Sequence, residues 1–186
     1  TTREIQEQRT WNPTPLMEAI SVFGNGVGAS LSIAVASLLF VITRRRREAW
    51  FTLAVIVPDL FNMLVKSLIH RPRPTQEDAR ILLNFSQSGF PSGHVVHYVV
   101  FFGFLLSVVV VDKTIPLFWR LCVGILSAFL IFAVSISRIY LGAHWATDVI
   151  GGYLFGFAYL GILLEFYFRD ARFKRRSETE EGKGRR

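Results

Sequence analysis

Residues 137–148 read SRIYLGAHWATD and separate two long apolar runs of the chain. This stretch places Arg138, His144 and Asp148 where a membrane protein would otherwise carry hydrocarbon side chains. Ionisable groups are costly to desolvate, so at such a position they indicate a functional site. If a helix begins near His144, the spacing to Asp148 puts the imidazole and the carboxylate on one face, a turn apart. An aspartate placed in this way can hold the histidine in one tautomer and leave its other nitrogen free to attack or to accept a proton.

The composition is typical of an integral membrane protein. Of the 186 residues, 51% are hydrophobic, and they are gathered into long runs. The net charge is +7, and the charged residues are clustered at the ends of these runs. This distribution indicates that they set the membrane topology and contact an anionic substrate, rather than bind nucleic acid. Cys122 is the only cysteine, so it has no partner for an intrachain disulfide, and we expect it to be a small buried hydrophobe.

Five apolar runs predict an all-α, polytopic transmembrane helix bundle. The five predicted spans are Leu16–Ile42, Trp50–Ile69, Val95–Val111, Leu117–Ile136 and Asp148–Phe168. We therefore expect an integral membrane domain over residues 1–168. The charged residues 169–186 are expected to form a basic, disordered cytoplasmic tail.

The arginine run Arg44–Arg47 predicts the orientation of these spans. By the positive-inside rule it lies in the cytoplasm. Counting crossings from it puts the basic tail on the same side and the polar motifs on the other. The N-terminus of the chain then lies outside, which a sixth span preceding Thr1 would explain.

Glycines, a proline and one apolar loop segment predict local features of these spans and of the connection between two of them. Gly24, Gly26 and Gly28 predict close helix packing or a bend near the start of the first span, and Pro58 predicts a kink in the second. In the last span, the spacing of two glycines, Gly152 and Gly156, predicts a helix contact. Between the second and third spans, Ala79–Phe85 is apolar enough to lie on the membrane surface, to cover a cleft or to pack as an ordinary loop.

Polar residues also recur within the second span. Asp59, Asn62 and Lys66 follow one another at helical spacing, so they should share a face turned away from lipid. That face is either a polar wall leading to the site or a patch that pairs two helices. His97, in the third span, is expected to be a packed or hydrogen-bonded histidine, with substrate contact as the alternative.

Three polar stretches fall on one predicted membrane face. Their three cations, Lys66, Arg73 and Arg138, are enough to hold a doubly charged phosphate and to stabilise the charge added in its transition state. Arginine offers a planar fork that matches phosphate oxygens, and lysine offers a point charge. The stretches are K-x-x-x-x-x-x-R-P at residues 66–74, PSGH at residues 91–94 and S-R-x-x-x-x-x-H-x-x-x-D at residues 137–148.

The second stretch predicts the start of a helix. Ser92 follows a proline and precedes an apolar run, which is typical of an N-cap, and Gly93 would let its backbone N–H approach an anion closely. The unpaired N–H groups and the positive dipole end of that helix would point at the same phosphate. His94, in the first turn, is then placed to donate a proton to a leaving oxygen.

Together and in this order, the motifs resemble the full signature of the type 2 phosphatidic acid phosphatase superfamily, which also includes vanadium haloperoxidases. The resemblance runs from Lys66 to Asp148 without a departure at any signature position. It implies that His144 is the nucleophile that forms a phosphohistidine and that Asp148 orients it. It also implies that His94 protonates the leaving group and then activates water.

The resemblance further implies a metal-independent enzyme without cofactors, which agrees with the absence from the sequence of a metal-ligand cluster of recognisable spacing. Its substrate would be a membrane lipid phosphate or pyrophosphate, with no nucleic-acid partner. In a bacterial inner membrane, with the site facing the periplasm or outer side, the candidates are undecaprenyl pyrophosphate, phosphatidylglycerol phosphate, phosphatidic acid and a lipid A phosphate. The short extramembrane segments favour an isoprenoid or glycerolipid phosphate. The implied phosphoryl-binding residues are Lys66, Arg73, Ser92, Gly93 and Arg138.

Two other functions would use the same residues. A vanadate-dependent haloperoxidase would bind vanadate and oxidise halide, but the haloperoxidases of this superfamily are soluble and larger. A non-enzymatic lipid-phosphate binder or transporter would keep the basic pocket. Binding alone, however, does not require a nucleophile and its orienting acid, so the intact His94, His144 and Asp148 favour an enzyme.

Overall fold

The computed structural model describes residues 12–75 and 88–184 of the chain, with side chains as far as residue 170. Within these ranges the secondary structure is helical. The helices are α1 (Thr14–Ser21), a 3-10 turn (Val22–Gly24), α2 (Gly26–Ile42), α3 (Arg46–Leu53), α4 (Ile56–Ile69), α5 (Gly93–Val111), α6 (Leu117–Tyr140) and α7 (Ala146–Gly184). The predicted apolar segment Ala79–Phe85 lies outside the described residues.

Four of these segments are long and apolar enough to cross a membrane: α3 joined to α4, α5, α6, and α7 as far as Asp170. The pair Thr14–Gly24 and Gly26–Ile42 passes the same test together and is bent by 60°. Counted as one span, the bent pair brings the number to five. This confirms the predicted all-α transmembrane bundle, and the protein is an integral membrane protein.

The predicted bend of the first span is present, and the helix of the second span is interrupted near Pro58. The first span bends at Asn25, which has an extended backbone (φ −74°, ψ 150°) between two glycines. The second span is interrupted between α3 and α4, one turn before Pro58. Because Pro58 has no N–H to donate to Ala54, the carbonyl of Ala54 accepts instead from the N–H of Val57, at 3.1 Å.

Helix α5 is the centre of the bundle. Within the protein, 67% of its membrane-spanning segment is buried, compared with 22–28% for the other three spanning helices. This burial fits a helix that is apolar on every side. Helix α7 packs closely against it through glycines. A Cβ on Gly152 would lie 2.9 Å from the Cβ of Val95, and one on Gly156 would lie 2.8 Å from the Cβ of Val99. The predicted helix contact at these two glycines is therefore confirmed.

The arginine run lies at the end of the bundle opposite the motifs. Arg45 forms a salt bridge with Asp112 in the turn after α5. Arg47 pairs with Asp170 at 3.2 Å, and its guanidinium lies 3.8 Å from the ring centroid of Tyr167. The arginine run, the α5–α6 turn and this part of α7 thus share one end, as the counting of crossings predicts.

Two expectations about the outer parts of the bundle have different outcomes. The helical backbone of α7 continues to Gly184, so no break in secondary structure marks the predicted domain boundary after residue 168. The disordered character of residues 169–186 stays a prediction.

Cys122 is exposed on α6 rather than buried. The outer face of a spanning helix meets lipid, where a small apolar thiol is as well placed as in the protein core.

Candidate active site

The structure brings all three motifs together at one end of the bundle, around a cavity of about 620 Å³. Their ionisable side chains are deeply buried: the exposed fraction is 9% for Lys66, 1% for Arg138, 3% for His144 and 0% for Asp148. Ser92 is also fully buried. The predicted site residues that line the cavity are Lys66, Arg73, Gly93, His94, Arg138 and His144.

Asp148 is the anchor of the third motif. It lies in the first turn of α7, and its Oδ2 accepts a hydrogen bond of 3.0 Å from the backbone N–H of Trp145, just before that helix. This is the reach-back half of a capping box. The same oxygen is 3.6 Å from His144 Nδ1, slightly beyond hydrogen-bonding distance. Nδ1 therefore faces the carboxylate, and Nε2 is the ring nitrogen left for chemistry.

Arg71 completes the surroundings of Asp148, and sequence reasoning did not assign it to the site. Its Nη1 is 2.9 Å from Asp148 Oδ1, and its side chain is 36% exposed, against 0% for the carboxylate. The backbone carbonyl of Arg71 accepts from the N–H of Gly89 at 2.8 Å. Arg71 thus connects the loop after α4, the residues preceding α5 and the carboxylate of α7.

The electrostatic surroundings of His144 keep it neutral. Burial lowers the pKa of His144 from 6.5 to about 4; Asp148 opposes this shift, while Arg73, Lys66 and Arg138 contribute further lowering. At neutral pH the imidazole therefore carries a free lone pair. The pKa of Arg73 is also lowered by burial, with Asp148 acting in the opposite direction.

The cations of the first motif are held by backbone carbonyls of neighbouring segments. Lys66 Nζ donates to the carbonyl of Ser88 at 2.9 Å, and Arg73 Nη1 donates to the carbonyl of Ala143 at 3.0 Å. Arg73 is thereby tied to the residue that precedes His144. These contacts fix the positive charges around the cavity before any anion binds.

The second motif forms the start of α5, as predicted, but the details differ. Ser92 occupies the N-cap position and its backbone N–H donates to the carbonyl of Asp148 at 3.0 Å, yet its hydroxyl does not cap the helix. Among the described residues this buried hydroxyl has no hydrogen-bond partner. The first N–H groups of α5 have no acceptor within the helix, so they suit an anion. Gly93 allows α5 to approach α4, because a Cβ there would lie 2.9 Å from Asn62 Nδ2.

His94 is held by a residue outside the motifs. Its Nε2 lies 3.0 Å from Oδ1 of Asn25, the residue at the bend of the first span. The ring N–H donates to the amide oxygen in this arrangement. The signal that could have identified Asn25 is the sequence Gly24–Gly26, a GNG interruption in an otherwise apolar run.

Residues 47–172 match the family model of the PAP2 superfamily, and this range is more than half of the chain. The chain belongs to the PAP2 superfamily. This result confirms the family identified from the three motifs.

Named PAP2 relatives are phosphatases of lipid phosphates. Phosphatidylglycerophosphatase B of Bacillus subtilis is 32% identical over 137 residues, which cover 69% of this chain and 63% of that enzyme. An undecaprenyl-diphosphatase of Sulfolobus acidocaldarius is 26% identical over 180 residues, covering 87% of this chain and 77% of the relative.

Solved PAP2 structures share the fold. The crystal structure of the transmembrane PAP2 type phosphatidylglycerolphosphate phosphatase from Bacillus subtilis superimposes with a TM-score of 0.76 and 24% identity, covering 90% of this chain and 83% of that one. Aquifex aeolicus LpxE gives a TM-score of 0.65 with 21% identity, covering 88% and 92%.

Two further polar side chains near the site form hydrogen bonds between helices. Ser137, the first residue of the third motif, donates from its hydroxyl to the carbonyl of Met17 at 2.6 Å and lies 2.6 Å from the hydroxyl of Ser21. It therefore fixes α1 against α6. His97 Nδ1 is 2.8 Å from Asp59 Oδ2, which confirms the expected hydrogen-bonded histidine.

Proposed function

We propose that this PAP2 protein hydrolyses a membrane lipid phosphate, without a metal ion, through a phosphohistidine on His144. The observation that carries the proposal is a buried histidine, His144, that lines the cavity together with Arg73 and Arg138 and has the buried carboxylate of Asp148 behind it. A neutral imidazole, a carboxylate behind it and cations in front of it are what nucleophilic attack on a phosphate requires.

In the first step His144 Nε2 attacks phosphorus and forms a P–N bond, while the ester or anhydride P–O bond breaks. The leaving oxygen takes its proton from His94, and Asp148 stabilises the positive charge that develops on His144. In the second step His94 accepts a proton from water, whose oxygen attacks phosphorus. The P–N bond breaks, inorganic phosphate leaves and neutral His144 is restored.

The phosphoryl group is proposed to lie between the cations and the start of α5. Lys66, Arg73 and Arg138 stabilise the equatorial oxygens, with the N–H groups near Ser92 and Gly93 on the helix side. Because the Lys66 and Arg73 groups already donate to fixed carbonyls, reorganisation on binding is small.

The substrate class and the orientation follow from independent features. The relatives are named for phosphatidylglycerophosphate and undecaprenyl diphosphate, and we propose a glycerolipid or isoprenoid phosphate for this chain. With Arg44–Arg47 in the cytoplasm, the site faces the periplasmic or outer side of a bacterial inner membrane.

The test is phosphate release by the purified protein in detergent with EDTA present. The panel contains undecaprenyl pyrophosphate, phosphatidylglycerol phosphate, phosphatidic acid and lipid A. His144→Asn should abolish release from every substrate. The matched control is His70→Asn, an exposed histidine whose backbone φ of 49° asparagine tolerates, and it should retain activity. Release by His144→Asn, or no release by the folded wild type, contradicts the proposal.

A further inference from the structure

A second polar cluster lines the cavity beyond the signature motifs. It consists of Asp59 and Asn62 on α4 and His97 on α5. His97 lies three residues after His94, which corresponds to a rise of about 4.5 Å along the helix, and both point to the same face. The cluster is therefore one helical turn deeper in the bundle than the proposed catalytic acid.

Two atoms of this cluster have hydrogen-bonding capacity that the protein leaves unused. Asp59 Oδ2 engages His97 Nδ1 at 2.8 Å and so fixes the ring, which stacks on Phe101 with centroids 5.4 Å apart. Within the described part of the chain, His97 Nε2 and Asn62 Oδ1 are buried without a hydrogen-bond partner, and their residues are only 2% and 5% exposed. Buried polar atoms are costly to leave unsatisfied, and a molecule in the cavity can satisfy them.

The charge of the cluster restricts what that molecule can be. An aspartate carboxylate next to a neutral histidine has a net charge of −1, and next to a protonated histidine the net charge is zero. The pair of Asp59 and His97 therefore adds no positive charge to the cavity. A second phosphate at the cluster would therefore face the Asp59 carboxylate, whereas the cations lining the cavity, Lys66, Arg73 and Arg138, are assigned to the first phosphate. A hydroxyl group both donates and accepts. With a proton on His97 Nε2 it accepts from the ring and donates to the amide oxygen of Asn62; with a neutral ring it donates to one of these two acceptors.

The order of the residues along the cavity gives the position of this group. Along α4, Asn62 lies about one turn and Asp59 about two turns deeper than Lys66, and along α5 His97 lies about one turn deeper than His94. Apolar side chains of Ile33, Ile56 and Leu60 line the cavity together with the cluster. A substrate therefore passes from phosphate to leaving oxygen, then to the cluster, and then to its hydrocarbon chain.

We propose that Asp59, Asn62 and His97 form a subsite for a hydroxyl group on the leaving-group side of the scissile phosphate. The subsite selects phosphate monoesters of glycerol-type alcohols with a free hydroxyl over diphosphates. This inference rests on the proposed lipid phosphatase function.

The test compares two substrates that differ by one hydroxyl, 1-oleoylglycerol 3-phosphate and 1-oleoylpropanediol 3-phosphate, with the full chain in detergent. Wild-type kcat/KM should be about tenfold higher for the hydroxyl-bearing substrate, the effect of one hydrogen bond to an otherwise unsatisfied buried group. His97→Phe keeps the ring stacking but removes Nε2, and it should bring the ratio close to one. Ser67→Ala, on the exposed side of α4, should keep the wild-type ratio.

A second variant, Asp59→Asn, keeps the size of the side chain and removes its negative charge, so it tests the subsite if His97→Phe does not fold. It should raise kcat/KM for farnesyl diphosphate relative to the hydroxyl-bearing monoester, because the repelling carboxylate is gone. Equal wild-type kcat/KM for the two monoesters overturns the subsite and leaves the proposed function standing. No phosphate release from these three substrates by a protein that is active on the four-lipid panel above also overturns the subsite, whereas no release from that panel either overturns the proposed function and the subsite with it.

Discussion

A side chain at position 24, where the protein has a glycine, would collide with the ring of His94. A Cβ at this position would lie 2.4 Å from His94 Cδ2 and 2.6 Å from Cγ, whereas ordinary contact begins at 3.4 Å. In Gly24→Ala the imidazole must therefore retreat by roughly 1 Å, the difference between 3.4 and 2.4 Å. A retreat of that size stretches or breaks its 3.0 Å hydrogen bond to Asn25.

The expected result is a fall in kcat/KM of about 100-fold, since a displacement of about 1 Å at a catalytic group costs roughly that factor. In free energy this is about 2.7 kcal/mol of transition-state stabilisation. The measurement is phosphate release as a function of substrate concentration in detergent, with the melting temperature followed by intrinsic fluorescence to establish that the variant is folded.

The chain offers a matched control two residues away. A Cβ on Gly26 meets open space, and this glycine is the first residue of α2, so Gly26→Ala should keep wild-type kcat/KM and melting temperature. In a His94→Ala background, Gly24→Ala should have no further effect because the ring it displaces is absent. A folded Gly24→Ala protein with wild-type kcat/KM would refute the assignment of His94 as a catalytic group in this position.

Two more predictions concern Asp148 and its partners. Arg71→Gln should lower kcat/KM about tenfold, or about 1.4 kcal/mol, because the fully buried carboxylate of Asp148 loses a partly exposed charged partner. Arg71→Lys should recover part of this loss, and an Arg71→Gln variant with wild-type kcat/KM would argue against the role of Arg71. The pKa of His144 is about 4 in the folded protein and 6.5 in the unfolded chain. Below pH 6.5 His144 therefore binds a proton in the unfolded state but not in the folded state, so the free energy of unfolding decreases as the pH falls towards 4. The free energy of unfolding should be lower by about 2 kcal/mol at pH 5. Between pH 7 and pH 5 the melting temperature of the wild type should therefore fall more than that of His144→Asn. Melting temperatures of the two proteins that change in parallel with pH would contradict this prediction.

The spans and the proposed phosphate-binding groups were predictable because each depends on local sequence. Apolar runs specify helices that cross a membrane, and ionisable residues at the ends of those runs stand out against hydrocarbon. Lys66, Arg73, Arg138 and His144 were recognisable for that reason, and the structure places all of them on one cavity.

The contacts that were not predicted depend on how the helices pack. Asn25 reaches His94 only because the first span bends by 60°, and a glycine pair indicates a possible bend but not its direction. Arg71 is one cation among several in a polar connection, and only the loop geometry selects it for Asp148. The partner of Asp59 could not be assigned because α5, which carries His97, is apolar on every side and shows no distinct face.

The most direct test of the central claim is to trap the phosphoenzyme. Protein incubated for a few seconds with a lipid substrate labelled in its terminal phosphate, then quenched in alkali to preserve the acid-labile P–N bond, is digested and its peptides are sequenced by mass spectrometry. The account predicts a phosphate on His144 of the wild-type protein that is absent from His144→Asn. Steady phosphate release with no phosphorylated His144 at any quench time would contradict it.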